Sequence, residues 1–300
     1  MTGRVVVVGD LVTDVVAVAA GPLAVGTDTT AAISMTGGGG GANTAAWLAF
    51  AGLSVTLVAA VGTDPAGDQR TAELRSAGVD CALARHPGGT GTVVVIADGT
   101  ERSMLCDRGA NAALRPRDVA AALRDAADAV HLHLSGYPLL DQRSRAAGRH
   151  ALVSARAAGL TTSVDAASAA PLRRVGGSAF RQWILGTDLL FANRDEAAVL
   201  VGERPPLDLA RELTRCVGAA VVVKLGGHGA IWASGSGEPV AVAAVQTRVI
   251  DVTGAGDAFA AGALTAWLAG CPPREVLAAA ARLGADAVSR AGARPPTLNA

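Results

Sequence analysis

The chain has 300 residues, half of them hydrophobic and 17% charged, with 26 basic side chains balanced by 26 acidic ones. A disordered chain has the reverse balance, and a nucleic-acid surface needs a basic face, often with stacking rings. A net charge of zero and 3% aromatic residues argue against both and leave a globular chain with ample material for a core.

In chain order, RVVVVG at 4–9 reads as the first strand, and Asp10 and Asp14 cut its apolar run too short for a secretory leader. Residues 15–36 read as short antiparallel strands. The stretch 29–63 carries no charge, but five consecutive glycines and Asn43 interrupt it, so it is not a membrane span. A helix is expected over 42–52, a strand at VTLVAA (55–60) and a helix over 67–77. Residues 90–106 read as a second antiparallel pair, with a turn at Asp98-Gly99. There follow a helix over 116–127, AVHLHL (129–134), a helix over 141–158, LTTSVD (160–165) and LLFAN (189–193). A helix over 207–217, AVVVK (220–224) and helices over 255–270 and 273–290 complete the series. Strands apolar on both faces, alternating with Ala-rich helices, predict an α/β chain with a mostly parallel sheet flanked by helices. No linker or repeat is visible. The expectation is one domain over 1–300, with 15–36 and 90–106 forming a small β-sheet lid whose edge can add strands from a second copy to give a homodimer.

Cys81, Cys106, Cys216 and Cys271 are widely spaced, which suggests buried reduced thiols in a cytoplasmic protein. His131 and His133 alternate and so share one face of a strand, but no third ligand lies near them, and a structural role is expected.

Three segments carry chemistry. In Asp251-Val-Thr-Gly-Ala-Gly-Asp257 a glycine-containing turn opens a long helix. Helix starts expose unpaired N–H groups and hold anions, and Gly254 and Gly256 allow close approach. Taken alone, Asp257 is equally well a helix-start acid. The run Gly37–Gly41 before Ala42-Asn43 is costly in backbone entropy unless a ligand approaches it; the alternative is a flexible turn. Lys224-Leu-Gly-Gly-His-Gly229 follows a buried strand, and Lys224 is the sole lysine of the chain, by selection or by chance. Neither G-x-x-x-x-G-K-[ST] nor G-x-G-x-x-G occurs, which argues against a P-loop or a dinucleotide fingerprint.

Together these segments resemble the ribokinase-like (PfkB) carbohydrate kinases over essentially the whole chain. Gly39-Gly-Gly-Ala-Asn43, with Gly52 and Gly62, is similar to the first family signature, and Gly62-Thr-Asp64-Pro-Ala-Gly67 to the motif after it. DVTGAGDAFAAG at 251–262 is similar to the second signature, Asn193-Arg-Asp-Glu196 to N-x-x-E, and RGANAAL at 108–114 to ribokinase-type segments. The resemblance implies a Rossmann-like sheet with a β lid and phosphoryl transfer from ATP to a small sugar. It implies Asp257 as base, Gly254, Ala255 and Gly256 as anion hole, and Asn193 and Glu196 organising Mg²⁺, partly through water. It further implies that Asp14, Gly39, Gly40, Gly41 and Asn43 hold the sugar and that Lys224, Gly226 and Gly229 lie beside the nucleotide. Asp251 falls where relatives build a K⁺ site. A nucleoside kinase of the same fold is the alternative, against which only nine aromatic residues weigh. A non-catalytic binding protein is a third, against which the intact Asp257 and glycines weigh.

Overall fold

The computed structural model of the chain describes residues 3–98, 101–235 and 237–296. Its first strand, β1 (Arg4–Val8), sets the plan: Val6 and Val8 enter one core cluster, Val5 and Val7 the other, and all four are fully buried. Side chains alternate across a strand, so a strand covered on both faces must be apolar at every position.

The next elements are β2 (Val12–Ala19), β3 (Ala31–Gly38), α1 (Gly40–Phe50), β4 (Val55–Gly62), α2 (Pro65–Ser76) and β5 (Val79–His86). They lead to β6 (Gly91–Asp98), β7 (Glu101–Asp107), α3 (Pro116–Asp125), β8 (Ala129–Ser135), α4 (Tyr137–Leu140) and α5 (Arg145–Ala157). The second half runs β9 (Thr161–Asp165), α6 (Ala169–Val175), α7 (Gly177–Ile184), β10 (Leu189–Asn193), α8 (Arg194–Val201) and α9 (Pro206–Val217). Last come β11 (Ala220–Lys224), β12 (Ala230–Ala233), β13 (Val240–Val242), α10 (Ala255–Leu268) and α11 (Pro273–Val288).

Nine strands form the main sheet in the order β13-β12-β11-β10-β9-β8-β1-β4-β5, parallel throughout except for the antiparallel edge of β12 and β13. One face is covered by α3 and α5 to α9, the other by α1, α2, α10 and α11. Parallel pairing needs crossovers, and those helices supply them. Four adjacent strands therefore deliver their last residues to one rim: Ser135 from β8, Asp165 from β9, Asn193 from β10 and Lys224 from β11. Ligands of open α/β sheets bind outside these carboxyl ends.

A second sheet, in the order β3-β2-β6-β7, is the expected lid. Its two hairpins are antiparallel as anticipated, but β2 and β6 pair in parallel, with Val12 opposite Gly91. The excursion through α1, β4, α2 and β5 acts as the crossover that a parallel pair demands. The Asp98-Gly99 turn lies outside the described residues. Where the lid returns, Asn111 accepts from the Leu11 amide (3.0 Å) and donates to the Leu11 carbonyl (2.8 Å). Arg108 beside it grips Asp10 through Nε (2.9 Å) and Nη2 (2.6 Å), so both ends of the lid are tied to the turn after β1.

The helix expected over 141–158 begins only at Arg145, as α5, and the short α4 before it was not expected; Ser144 Oγ donates to the Pro138 carbonyl (3.1 Å) between the two. Helices α6, α7 and α8 and strands β5, β12 and β13 lack a counterpart in the sequence expectation. The thiols differ too: none of the four cysteines is buried, and Cys106, on the lid, is exposed. A lid strand with solvent on its faces cannot enclose a side chain as the main sheet does. His131 and His133 are buried and both contact Ser163 Oγ at 2.8 Å. Burial lowers them to about 3 and about 4, so they are neutral members of the sheet's packing. Among the described residues no group of three or more His, Cys, Asp or Glu forms a metal cluster. No described helix is long and apolar enough to cross a membrane.

Candidate active site

The glycine run bends from β3 into α1 under the lid. Gly39 has φ 99°, and a Cβ there would meet the Asp10 carbonyl at 2.4 Å, so glycine is required. A Cβ on Gly41 would lie 2.6 Å from Gly9 Cα, which marks a close approach of α1 to the end of β1. Gly40 opens toward the site: its Cβ would stand 3.1 Å from Ser135 Oγ and 3.6 Å from Asp257 Oδ1. A side chain at Gly38 would collide with the carboxylate of Asp14, which reaches across from β2. Asp14 and Asn43 are 7% and 5% exposed. Burial raises the Asp14 carboxyl to about 6, against the opposing pull of Arg294 and Arg70.

Asp257 lies in the first turn of α10 and accepts a hydrogen bond on Oδ2 from Asn43 Nδ2 at 3.0 Å. It keeps some solvent contact, yet its burial raises the carboxyl to about 7; Asn43 opposes that rise and Asp165 adds to it. Gly254, the residue before α10, is left-handed (φ 74°), and a Cβ there would strike the Ala293 carbonyl at 2.4 Å. The Ala255 amide donates to the Val252 carbonyl at 3.3 Å, so the amides of Gly256 and Asp257 are the first-turn donors best suited to an anion. Asp251 clamps this turn: Oδ1 accepts from the Thr253 amide (2.9 Å) and hydroxyl (2.7 Å), and Oδ2 from the Gly292 amide (3.1 Å).

At the rim of the sheet Lys224 donates from Nζ to Asp165 Oδ2 at 2.6 Å, and a Cβ on Gly256 would be 3.3 Å from that nitrogen. Burial alone would lower the ammonium, but Asp165, Glu196 and Asp257 together hold it above its ordinary value. Asp165 Oδ1 accepts from the amide of Ala167, the one non-glycine residue at positive φ (71°) among the described residues. Such strain concentrates at functional sites. Asn193 and Glu196 form a capping box: Asn193 Oδ1 accepts from the Glu196 amide (2.8 Å), and Glu196 accepts from the Asn193 amide (2.8 Å) and Nδ2 (2.7 Å). Burial raises the Glu196 carboxyl, with Lys224 opposing.

Beyond Lys224 a cavity of about 310 Å³ runs between the loop of Gly226 and Gly229, residues 244–249, and helices α10 and α11. Gly226 (φ 57°) and Gly229 (φ 96°) line it, with Val245, Phe259 and Val288 making it apolar.

Of the residues expected from the sequence, Gly40 and Asn43 approach Asp257, Asp14 lies against Gly38, Glu196 and Asp257 act on Lys224, Gly226 and Gly229 line the cavity beyond it, and Asp251 braces the turn before α10. Sequence reading missed Asp165, the C-terminal segment and the apolar wall of the cavity. The signal for Asp165 was available: an acid ending a buried strand two strands from the sole lysine. Residues 292–294 join the site only through tertiary contacts: Trp47 Nε1 donates to the Ala293 carbonyl (3.0 Å), and Arg294 Nη2 donates to the Gly38 carbonyl (3.1 Å).

A mostly parallel sheet with a smaller second sheet thus carries a half-buried acid at a helix start near the sole lysine, an arrangement suited to an anion. The description "pfkB family carbohydrate kinase" fits residues 2–300, so the chain belongs to that family and is a carbohydrate kinase with the ribokinase-like α/β fold. It is 33% identical to the ATP-dependent ribose-1-phosphate kinase of Halopiger xanaduensis over 88% of this chain and 84% of that protein. It is 30% identical to a 2-dehydro-3-deoxygluconokinase of Thermoproteus tenax over 76% of this chain and 72% of that protein. The adenosine kinase of Sinorhizobium meliloti superposes with a TM-score of 0.87 at 25% identity, covering 98% of this chain and 96% of that one.

The raised Asp257 carboxyl has a consequence for stability. A carboxyl that is weaker in the folded state destabilises the fold as it ionises. The penalty is absent below its ordinary value of 3.8, grows as pH rises and is complete above about 7. Asp257→Asn keeps an acceptor for Asn43 without the charge. It is expected to raise the melting temperature by a few degrees at pH 8 and by much less near pH 4, as read by calorimetry. An equal shift at both values would mean that Asp257 carries no ionisation penalty.

Proposed function

We propose that the enzyme transfers the γ-phosphoryl group of ATP to a hydroxyl of a small sugar, with Asp257 as general base. The observation that carries this reading is Asp257 itself: a carboxyl raised to about 7, at a helix start suited to anions, between the glycine loop and Lys224. Such a group is ionised in sufficient fraction near neutrality and basic enough to take a hydroxyl proton. As Asp257 Oδ1 removes that proton, the sugar oxygen bonds to the γ-phosphorus, the β–γ bridge bond breaks, and its electron pair leaves with ADP. The amides of Gly256 and Asp257, within the Gly254-Ala255-Gly256 turn, and Lys224 face the charge that grows on the phosphoryl oxygens. Asp165 holds Lys224 in that position.

The apolar cavity suits an adenine base, with Gly226 and Gly229 letting the backbone pass close to the nucleotide. Mg²⁺ fits the acidic rim near Asn193 and Glu196. Both side chains are engaged in the helix cap, so a metal there would be reached through water, and when bound it would neutralise phosphate charge. Asp251 is likewise engaged in its loop, and K⁺, if it binds here, would act by stiffening the anion-hole turn. Asp14, Asn43 and Gly39 to Gly41 form the sugar end. The need for ATP under this reading suits an enzyme of the cytoplasm. Under this reading the chain works as one domain over 1–300, with its lid closing over the sugar.

A nucleoside as acceptor is the second reading, favoured by the superposition on an adenosine kinase. Tyr137 is the ring beside Gly40 that could stack on a base. The intact Asp257, Lys224 and glycine turn weigh against a non-catalytic role. ATP consumption with Mg²⁺, with and without K⁺, against sugars, sugar acids, sugar phosphates and nucleosides tests the reading. A sugar is expected to be the accepted class, with turnover reduced roughly 10²-fold or more in Asp257→Ala. Near-normal turnover in that variant would remove Asp257 from the mechanism, and turnover of nucleosides alone would replace the substrate.

The lid bears on assembly. Ile33 and Met35, two apart on edge strand β3, are 68% and 67% exposed, and Met104 and Leu105 on the other edge strand are exposed as well. We read these edges as the contact of a homodimer formed by strand addition. Light scattering at micromolar concentration is expected to give twice the chain mass of 29.7 kDa, and a monomer would end this assignment.

A further inference from the structure

Helix α2 presents Gly67, Arg70, Thr71 and Leu74 to the interior, the spacing of a core-facing stripe. Arginine at such a position is costly unless all its donors are paired. Arg70 is 2% exposed. Its Nη2 pairs with Glu73 Oε1 at 2.7 Å, whereas Nε and Nη1 have no hydrogen-bond partner. Native interiors rarely leave guanidinium donors in that state without a ligand to fill them.

The surroundings place these donors near Asp14. Helix α2 packs against β2, the strand that carries Asp14. Arg70 and Arg294 both pull the Asp14 carboxyl down, and Arg70 and Glu73 act in opposite senses on Arg294, so the four charges form one cluster. Arg294 is 14% exposed and lies against Gly37, where a side chain would overlap its guanidinium. It donates to Gly38 O (3.1 Å), Asn43 Oδ1 (3.4 Å) and Glu73 Oε2 (3.4 Å). Burial with Arg70 nearby lowers Arg294 to about 10, although Glu73 opposes the fall. Two guanidinium groups thus share one carboxylate, Glu73, whose side chain is 38% exposed and also accepts from Gln69 Nε2 at 3.4 Å. A chain of contacts runs Asp257–Asn43–Arg294–Glu73–Arg70 and links this cluster to the carboxyl proposed as base.

We infer that Arg70 and Arg294 form an oxyanion subsite, and that the acceptor sugar carries a phosphate ester or a carboxylate that they bind. Arginine forks match both groups bidentately. This inference rests on the sugar-kinase reading and narrows its substrate class. It assigns Glu73 the part of an internal counter-ion that the substrate's anion displaces.

The test is calorimetric titration of the nucleotide-free protein, in which no transfer occurs, with a neutral pentose and hexose, their monophosphates and the corresponding sugar acids. Wild type is expected to bind an anionic sugar at least about tenfold more tightly than its neutral parent, and the better of phosphate or acid names the oxyanion. Arg70→Met fills a core position with an apolar side chain of similar length and should fold. It is expected to reduce that preference roughly 10- to 100-fold. Glu73→Gln is expected to leave the preference intact or raise it. If Arg70 served only to pair with Glu73, the two variants would act alike. Equal or weaker binding of anionic sugars by wild type, no sugar binding at all, or a parallel loss in both variants would overturn the subsite. ATP-dependent turnover of neutral sugars alone would overturn it and leave the kinase reading standing. Anion-selective binding without transfer from ATP would do the reverse.

Discussion

The hydrogen bond from Asn43 to Asp257 is the constraint on which the site depends. It spans 214 positions of sequence and joins the first turn of α1 to the first turn of α10 at 3.0 Å. A carboxyl so enclosed would drift toward its neutral form were it not for this donor, and the donor is aimed by its own far end, where Asn43 Oδ1 accepts from Arg294. The amide therefore fixes two things at once: the orientation of the Asp257 carboxyl and the distance between the glycine loop and the turn before α10. The segment through Gly292, Ala293 and Arg294 closes the arrangement, held by Asp251, Trp47 and the Gly38 carbonyl. Glycine at 254 is explained by the same contact, since any side chain there would enter the Ala293 backbone.

Charge is the second organising theme. The chain is neutral overall, yet its sole lysine lies where Asp165, Glu196 and Asp257 converge. This convergence comes from topology: parallel strands ending at one rim set Ser135, Asp165, Asn193 and Lys224 side by side. The balance at that rim suits phosphate transfer, in which fixed dipoles and one anchored ammonium meet charge that moves from one oxygen to another. Beside the glycine loop, Arg70 and Arg294 stand around Glu73 and Asp14, so that cluster sets two cations against two carboxylates.

Much of this was legible in the sequence because the main elements are local. The buried strands announce themselves by continuous β-branched runs, and the turn before α10 carries its glycines and its acid within seven residues. The glycine run at 37–41 pointed to a close approach, and the structure explains it through Gly9, Asp10, Asp14 and Asp257. What stayed hidden is what depends on distant segments meeting. Arg294 sits in a polar C-terminal stretch that reads as a tail, and nothing nearby indicates Gly38 as its partner. Arg70 reads as one more charged residue of α2, because a core-facing stripe can be phased only once the neighbouring β2 is known. The parallel pairing of β2 with β6 was likewise unreadable, since each hairpin is locally antiparallel and only the long crossover sets their relative direction. The thiol of Cys106 was misjudged for the same reason: its exposure is a property of the lid's solvent-facing sheet, not of its neighbours in sequence.

The central claim, that Asp257 acts as the base from a carboxyl raised to about 7, is tested most directly by the pH dependence of kcat/KM for the sugar at saturating ATP. A base must be ionised to act, so activity should fall about tenfold per pH unit below roughly 7 and level off above it. A profile that stays flat down to about pH 5 would contradict the account, because it would mean that no group with the raised carboxyl of Asp257 takes the proton in the rate-limiting step.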